Sequence, residues 1–339
     1  MKTNKLIAIL LAALMLLALC ACGSSSGSGG ASSGTAGAGT QTGTADASYK
    51  VGVVQLVQHP ALDAATQGFQ DALKEKLGDK VSFDVQNASG DSGNCSVIVN
   101  GFVSDNVDLI MANATPALQA AASATSTIPV LGTSITDYAS ALELQNWTGT
   151  VGGNISGTSD LAPLDQQAAM VKELFPDAQK VGLLYCSGEA NSVYQCQVIE
   201  GELTGLGYEV KWFAFTDSND LSAVAESACD YADVIYIPTD NTAANNTEAI
   251  ANVLLPKGVP AVVGEEGLCK GCGVATLSIS YYDLGYATGL MAADVLTGAK
   301  NISEMPVQYA PNAVKEYQAA NAEALGVTIP SDYTAVAMD

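Results

Sequence analysis

The stretch YKVGVVQLVQHPALDAATQGFQDALKEKL, residues 49–77, decides the architecture. Its first part, Lys50–Val57, is a short run of β-branched and apolar residues, which suits a strand covered on both faces. Its second part, Ala61–Lys76, brings apolar residues back at helical spacing. Pro60 stands just ahead, where a first helical turn tolerates a residue without an N–H. Strand, polar turn and helix in that order form the repeating unit of a parallel sheet.

Working outward, the unit recurs. Strands are expected at Val81–Asn87, Leu109–Ala112 and Val130–Thr133, with helices at Cys95–Ser104 and Pro116–Ala124 between them. The series then restarts. Helices Pro163–Leu174, Asn191–Leu206, Leu221–Cys229 and Thr247–Leu255 alternate with strands Lys180–Tyr185, Tyr208–Phe215, Asp233–Ile237 and Pro260–Gly264. Strand Val274–Ser278, helix Tyr282–Leu296, an extended Pro306–Ala310 and a last helix Ala313–Leu325 complete the chain. Two tandem series imply an α/β protein of two open parallel-sheet lobes. Gly152-Gly153-Asn154 between them reads as a hinge, or equally as a plain turn.

In open α/β sheets ligands meet the carboxyl ends of the strands, so the loops there carry the candidate site. They hold Gln55, His59 and Leu62 after the first strand, Thr115 after the third, and Ser134, Thr136 and Asp137 after the fourth. In the second series they hold Glu189, Asn191 and Ser192, then Thr239, Asp240 and Asn241, then Glu265 and Glu266. Thr115, Ser192 and Asn241 also suit plain helix caps. Asp240 is either the partner of a ligand ammonium or a cap for the helix that follows. Glu189 and Asp240 as a glycosidase carboxylate pair fit poorly, because both fall in one lobe. With no GxSxG, HExxH or P-loop, and one histidine in 339 residues, the chain does not read as an enzyme, and no cofactor or metal is expected.

Charge narrows the partners. Thirty-five Asp and Glu against thirteen Lys give a net charge of −22, with no basic patch to contact nucleic-acid phosphates. The first residues imply export: Lys2 and Lys5 precede the apolar stretch Leu6 to Leu19, too short for a confident membrane span. Leu19-Cys20-Ala21-Cys22 resembles the bacterial lipobox, which implies removal of residues 1–21 and lipid attachment at Cys22. Residues 22–48, nearly all Gly, Ser, Thr and Ala, read as a flexible tether. The expected location is the extracellular face of a bacterial cell membrane, held by the lipid alone. In that compartment the later cysteines are disulfide candidates. Cys269-Lys270-Gly271-Cys272 reads as a loop disulfide ahead of a redox pair or half a zinc site, and Cys186 with Cys196 is a second candidate pair.

Five segments carry a family resemblance: VVQLVQHPALDAATQGFQDAL (53–73), NATPALQAAAS (113–123), YCSGEANSVYQ (185–195), IYIPTDNT (235–242) and SISYYDLGYATG (278–289). Together they resemble an ABC-transporter substrate-binding family that includes lipoproteins for tryptophan, tyrosine and phenylalanine. The resemblance implies a type I periplasmic-binding fold with three crossovers and a helix from Tyr282 that returns to the first lobe. The lobes are then expected at 49–152 with 279–303, and at 153–278 with 304–339. It also implies a monomer that passes an aromatic amino acid to permease and ATPase subunits. The other readings are a branched-chain amino acid, nucleoside or sugar as ligand, or a sensor or adhesin role. The cysteines at 186, 196, 269 and 272 depart from the family pattern.

Overall fold

The computed structural model describes residues 48–310 and 312–338. The expected signal segment, Cys22 and all of the tether before Ser48 lie outside the described residues. In the first half the strands are β1 Tyr49–Gln55, β2 Val81–Asn87, β3 Leu109–Asn113, β4 Val130–Ile135 and β5 Ile155–Ser159. The helices among them are α1 Pro60–Leu77, α2 Ser92–Ser104, α3 Thr115–Ala124 and α4 Tyr138–Ala141. The second half runs α5 Leu164–Leu174, β6 Lys180–Cys186, α6 Ala190–Gly205, β7 Glu209–Phe215, α7 Leu221–Cys229 and β8 Val234–Ile237. It continues with α8 Asn241–Ala244, α9 Thr247–Lys257, β9 Ala261–Val263, α10 Glu266–Gly271 and β10 Ala275–Ser278. The last elements are α11 Tyr281–Leu296, β11 Gln308–Tyr309, β12 Val314–Tyr317, α12 Ala319–Ala324 and β13 Thr334–Ala335.

Two sheets result. The first is ordered β11-β5-β4-β3-β1-β2 and the second β13-β12-β10-β9-β8-β6-β7. Every pair of neighbours is parallel except β10 with β12. Each sheet has an apolar core on both faces, which is why its strands read as continuous apolar runs. The chain changes sheets after β5, after β10 and after β11, giving the expected three crossovers.

The boundaries differ from expectation at identifiable places. Gly152 and Gly153 (φ 84° and 60°) form a turn inside the first lobe, pinned by Asn154 Nδ2 donating to the carbonyls of Thr125 and Ile128. They are therefore not the hinge. β5 follows that turn and pairs with β4, so the first sheet extends past 152. β11 pairs with β5, so the first sheet also claims residues beyond 303. The last expected helix is instead β12 followed by the shorter α12. Val314–Tyr317 pairs antiparallel with β10, and those inter-strand bonds override a weak helical pattern.

α1 begins at Pro60 and carries Asp63 in its first turn and Lys74 and Lys76 in its last, each placed to suit the helix dipole. It lies along α11, the helix that returns from the second series. Glycines line this seam: a Cβ on Gly285 would strike the Ala65 carbonyl, one on Gly68 the Tyr282 carbonyl, and one on Gly289 the Phe69 carbonyl.

All six cysteines among the described residues are buried and unpaired. This corrects both expected disulfides. Cys186 and Cys196 sit in cores on opposite faces of the second sheet, where Leu184 and Cys186 face one core and Leu183 and Tyr185 the other. The CxxC is not in an irregular loop: Cys269 lies within α10, Cys272 closes it, and the Cys272 thiol donates to the Leu268 carbonyl at 3.4 Å. Burial pushes both thiols up, so the reactive thiolate is scarce.

The chain from residue 46 onward is one compact unit. Gly285→Ala should destabilise it by about 1–3 kcal/mol in urea unfolding, because the seam cannot open without shifting a helix. Gly201→Ala on α6, where a Cβ meets nothing within 4 Å, should be neutral or stabilising by up to about 1 kcal/mol. Alkylation without reductant should leave the native thiols unmodified and label all six after unfolding, as read by intact mass. Four labels would show a disulfide.

Candidate functional site

The carboxyl ends of the two sheets face each other across a narrow cavity of about 10 Å³, room for roughly one water molecule. Its wall from the first lobe is His59, Leu62, Ser134, Thr136, Asp160 and Tyr281. Its wall from the second lobe is Asn191, Thr239, Asp240, Asn241, Ala244 and Glu265.

Local backbone chemistry aims these groups. Ahead of Pro60, His59 is held extended as the N-cap of α1 (φ −157°, ψ 163°), the conformation favoured before a proline. The β4–β5 register shifts between Gly132 and Ile135, and Ser134 within that bulge has φ 56°. Ala114, at the end of β3, has φ 88°. Non-glycine residues at positive φ cost energy and collect at sites where the backbone must re-aim a side chain.

The hydrogen bonds assign donors and acceptors. Asn241 Nδ2 donates to Glu189 Oε2 (2.7 Å), so its Oδ1 is the acceptor for His59 Nε2 at 3.3 Å across the lobes. His59 Nδ1 is then an unprotonated acceptor, buried and without a partner. Burial lowers the His59 pKa against the opposing effects of the Asn241 bond and the Glu189 and Asp63 charges, which keeps the ring neutral. Asn191 donates through Nδ2 to Glu189, Ser192 and the Thr239 carbonyl, which leaves its Oδ1 unpaired. Ser134 Oγ is also buried and unpaired. To these acceptors the cavity adds three carboxyls. Burial raises the pKa of Asp160 against hydrogen bonds from Tyr281 and Thr136. Burial, then the Glu189 charge, raises Asp240. Burial pushes Glu265 up to about 7. Among the described residues lining the cavity there is no lysine.

The expected site residues divide. His59, Leu62, Ser134, Asn191, Thr239, Asp240 and Asn241 line the cavity. Gln55 lies behind it, holding α1 to β1 through Asp63 (2.6 Å), Thr66 (2.7 Å) and the Val57 carbonyl (2.9 Å). Glu189 ties two loops together by accepting from Asn241 N and Thr242 N (3.0 and 2.8 Å). Asp137 caps α4 through Ser140 N (2.7 Å), and Thr115 is buried at the first turn of α3. Ser192 is buried behind the wall, hydrogen-bonded to Asp240. The caps expected at Thr115, Ser192 and Asn241 belong to other residues: Ala114, Glu189 and Asp240 hold the N-cap positions. Asp240 accepts from Ala243 N (2.8 Å) and Cys186 N (2.7 Å), so it caps α8 while still lining the cavity.

Asp160 and Tyr281 were not among the expected site residues. Asp160 follows β5, whose sequence ISGTS carries no strand-like apolar run. Tyr281 opens α11 on the second crossover. The available signal was positional: each directly follows the end of a strand or crossover facing the cleft.

Known proteins share this fold. The family model for ABC transporter substrate binding proteins matches residues 50–339. A tyrosine-binding protein of Clostridioides difficile (strain R20291) is 36% identical over 260 residues, covering 76% of this chain and 75% of its own. The ABC domain from Streptococcus pneumonia solved in complex with L-Trp superposes with a TM-score of 0.80 at 32% identity, covering 84% of this chain and 97% of that one. A ligand-free, open substrate-binding protein with adhesive properties from Clostridium difficile, at 33% identity and covering 86% and 100%, gives only 0.66. At nearly the same identity, 32% against 33%, the better match to the liganded structure fits lobes drawn together across the His59–Asn241 contact. The chain is a member of the ABC transporter substrate-binding protein family, with the type I periplasmic-binding fold.

Proposed function

We propose that this protein is the extracellular, lipid-anchored solute-binding component of an ABC importer and that it binds an aromatic amino acid between its lobes. The observation that carries this reading is the imbalance of the cavity, where unpaired acceptors and carboxyls face inward without a lysine among them. Such a wall suits a ligand rich in N–H donors, and an α-ammonium is one. Ser134 on the first-lobe wall is the side to which a carboxylate turns. Leu62, Ala244 and the Tyr281 ring supply the apolar surface for an aromatic side chain. The tyrosine-binding relative and the L-Trp complex support the aromatic class. A ligand touching both lobes stabilises the closed form through contacts the open form lacks, and permease and ATPase subunits are the partners that receive it.

A thermal-shift and calorimetric screen of the chain from residue 46 against amino acids, nucleosides and sugars tests the ligand class. L-tyrosine, L-tryptophan or L-phenylalanine should give the largest rise, about 5 °C or more at a hundredfold excess over Kd. A larger response to a branched-chain amino acid, nucleoside or sugar would sink the aromatic assignment. For the anchor, Cys22→Ser in the full chain should move the protein from the membrane fraction to the soluble one. Retention on membranes after a high-salt wash would show that Cys22 is not the attachment point.

A further inference from the structure

Two of the inward-facing carboxyls stand on the floor of the cavity, one from each lobe, and the amino-acid reading does not separate their roles from that of Asp240. Asp160, on the first crossover, and Glu265, between β9 and α10 in the other lobe, both line the cavity and are 4% and 2% exposed. Asp160 accepts from Thr136 Oγ1 (3.0 Å) and Tyr281 Oη (2.9 Å), one on each oxygen. Glu265 accepts from Gly267 N (2.7 Å) and Leu268 N (2.5 Å), again one on each. Every oxygen therefore keeps acceptor capacity. Each carboxyl is raised first of all by burial, and the Asp160 charge adds a smaller upward push on Glu265.

Among the described residues lining the cavity no lysine offsets them. Tyr138 and Tyr281 face Asp160, and Glu266, Cys269, Cys272 and Tyr281 face Glu265. Asp240, raised by burial and then by the Glu189 charge, and the neutral His59 look in from the rest of the wall. Lys270 stands in the adjoining outer groove, its ammonium paired with Glu266 at 2.8 Å. Independently of the acids, His59 and Asn191 line the same space and each keeps a buried acceptor, Nδ1 and Oδ1, without a partner, which points to a donor-bearing ligand there.

We propose that Asp160 and Glu265 are the two halves of an ammonium seat, and that the lobes close only with a positive charge between them, from the ligand or, without ligand, from a proton. This rests on the amino-acid reading. With the lobes apart both carboxylates are hydrated and ionised at neutral pH. Closure removes that water and brings like charges together in a medium of low dielectric, which opposes the closed form. An ammonium bonded to both lobes removes the opposition, and so does protonation of one carboxyl by solvent. The carboxyl pKa is higher in the empty closed form than in the open form, so empty closure takes up a proton. Empty closure is therefore favoured as pH falls below about 7 and lost as pH rises through it.

The test uses the chain from residue 46, whichever of L-tyrosine and L-tryptophan binds more tightly, and that ligand's analogue lacking the amino group. Small-angle scattering of the ligand-free protein should show a radius of gyration that shifts from the open value at pH 8 toward the amino-acid-saturated value at pH 5. Calorimetry at pH 8 should favour the amino acid over its des-amino analogue by about 30-fold or more, as loss of a desolvated charge pair implies. That preference should shrink by about tenfold or more at pH 5, where a proton occupies the seat. Glu265→Gln should be compact without ligand at both pH values. Identical scattering of the ligand-free wild type at the two pH values, with the amino acid still compacting it, overturns the proposal and leaves the amino-acid reading standing. If no amino acid binds at either pH, both fall.

Discussion

The close approach of α1 and α11 is the contact on which the rest of this structure depends. Gly68, Gly285 and Gly289 let the two helix backbones meet where a single added methyl group would strike a carbonyl. Because α11 comes from the far side of the second sheet, this seam brings the chain back to the first lobe and makes the second crossover. The N-terminal end of each helix also reaches the cavity, α1 through His59 and Leu62 and α11 through Tyr281. One packing contact thus sets the lobe connectivity and the floor of the site.

Above that floor the site is organised by polar groups that hold one another before any ligand is considered. Glu189 gathers the backbone and side-chain donors of Asn241 and Thr242, and the orientation this imposes on the Asn241 amide fixes which nitrogen of His59 carries the proton. Asp240 ties β6 to α8 in the same way. What remains facing inward is mostly acceptors. Burial makes each unpaired acceptor costly, and the same low dielectric strengthens any bond a ligand completes there. Specificity and closure then have one physical source.

The cysteines show how compartment and structure can point in different directions. Export, as the first residues lead one to expect, together with an even number of cysteines and a CxxC, would suggest disulfides. Yet these thiols are distributed among the cores and behave as small apolar side chains, with Cys186 and Cys196 kept on opposite faces by the alternation of β6.

The sequence alone determined the alternation of strands and helices, the two tandem sheets and the loops in which ligand groups belong. Those features follow from local periodicity and turn chemistry, as Pro60 and the apolar run before it show, and the quoted motifs placed the chain in its family. Local pattern was silent where a segment takes its form from distant partners. Ile155–Ser159 is a strand because β4 and β11 lie beside it, and Val314–Tyr317 is a strand because β10 offers its edge. Missing β5 hid Asp160 and displaced the hinge. Which polar loop residues reach the cavity and which only brace it, as Gln55 and Glu189 do, was likewise settled by tertiary structure. Side chains of the same type at the ends of neighbouring strands look alike in sequence, and only packing decides which keep their hydrogen-bonding capacity free.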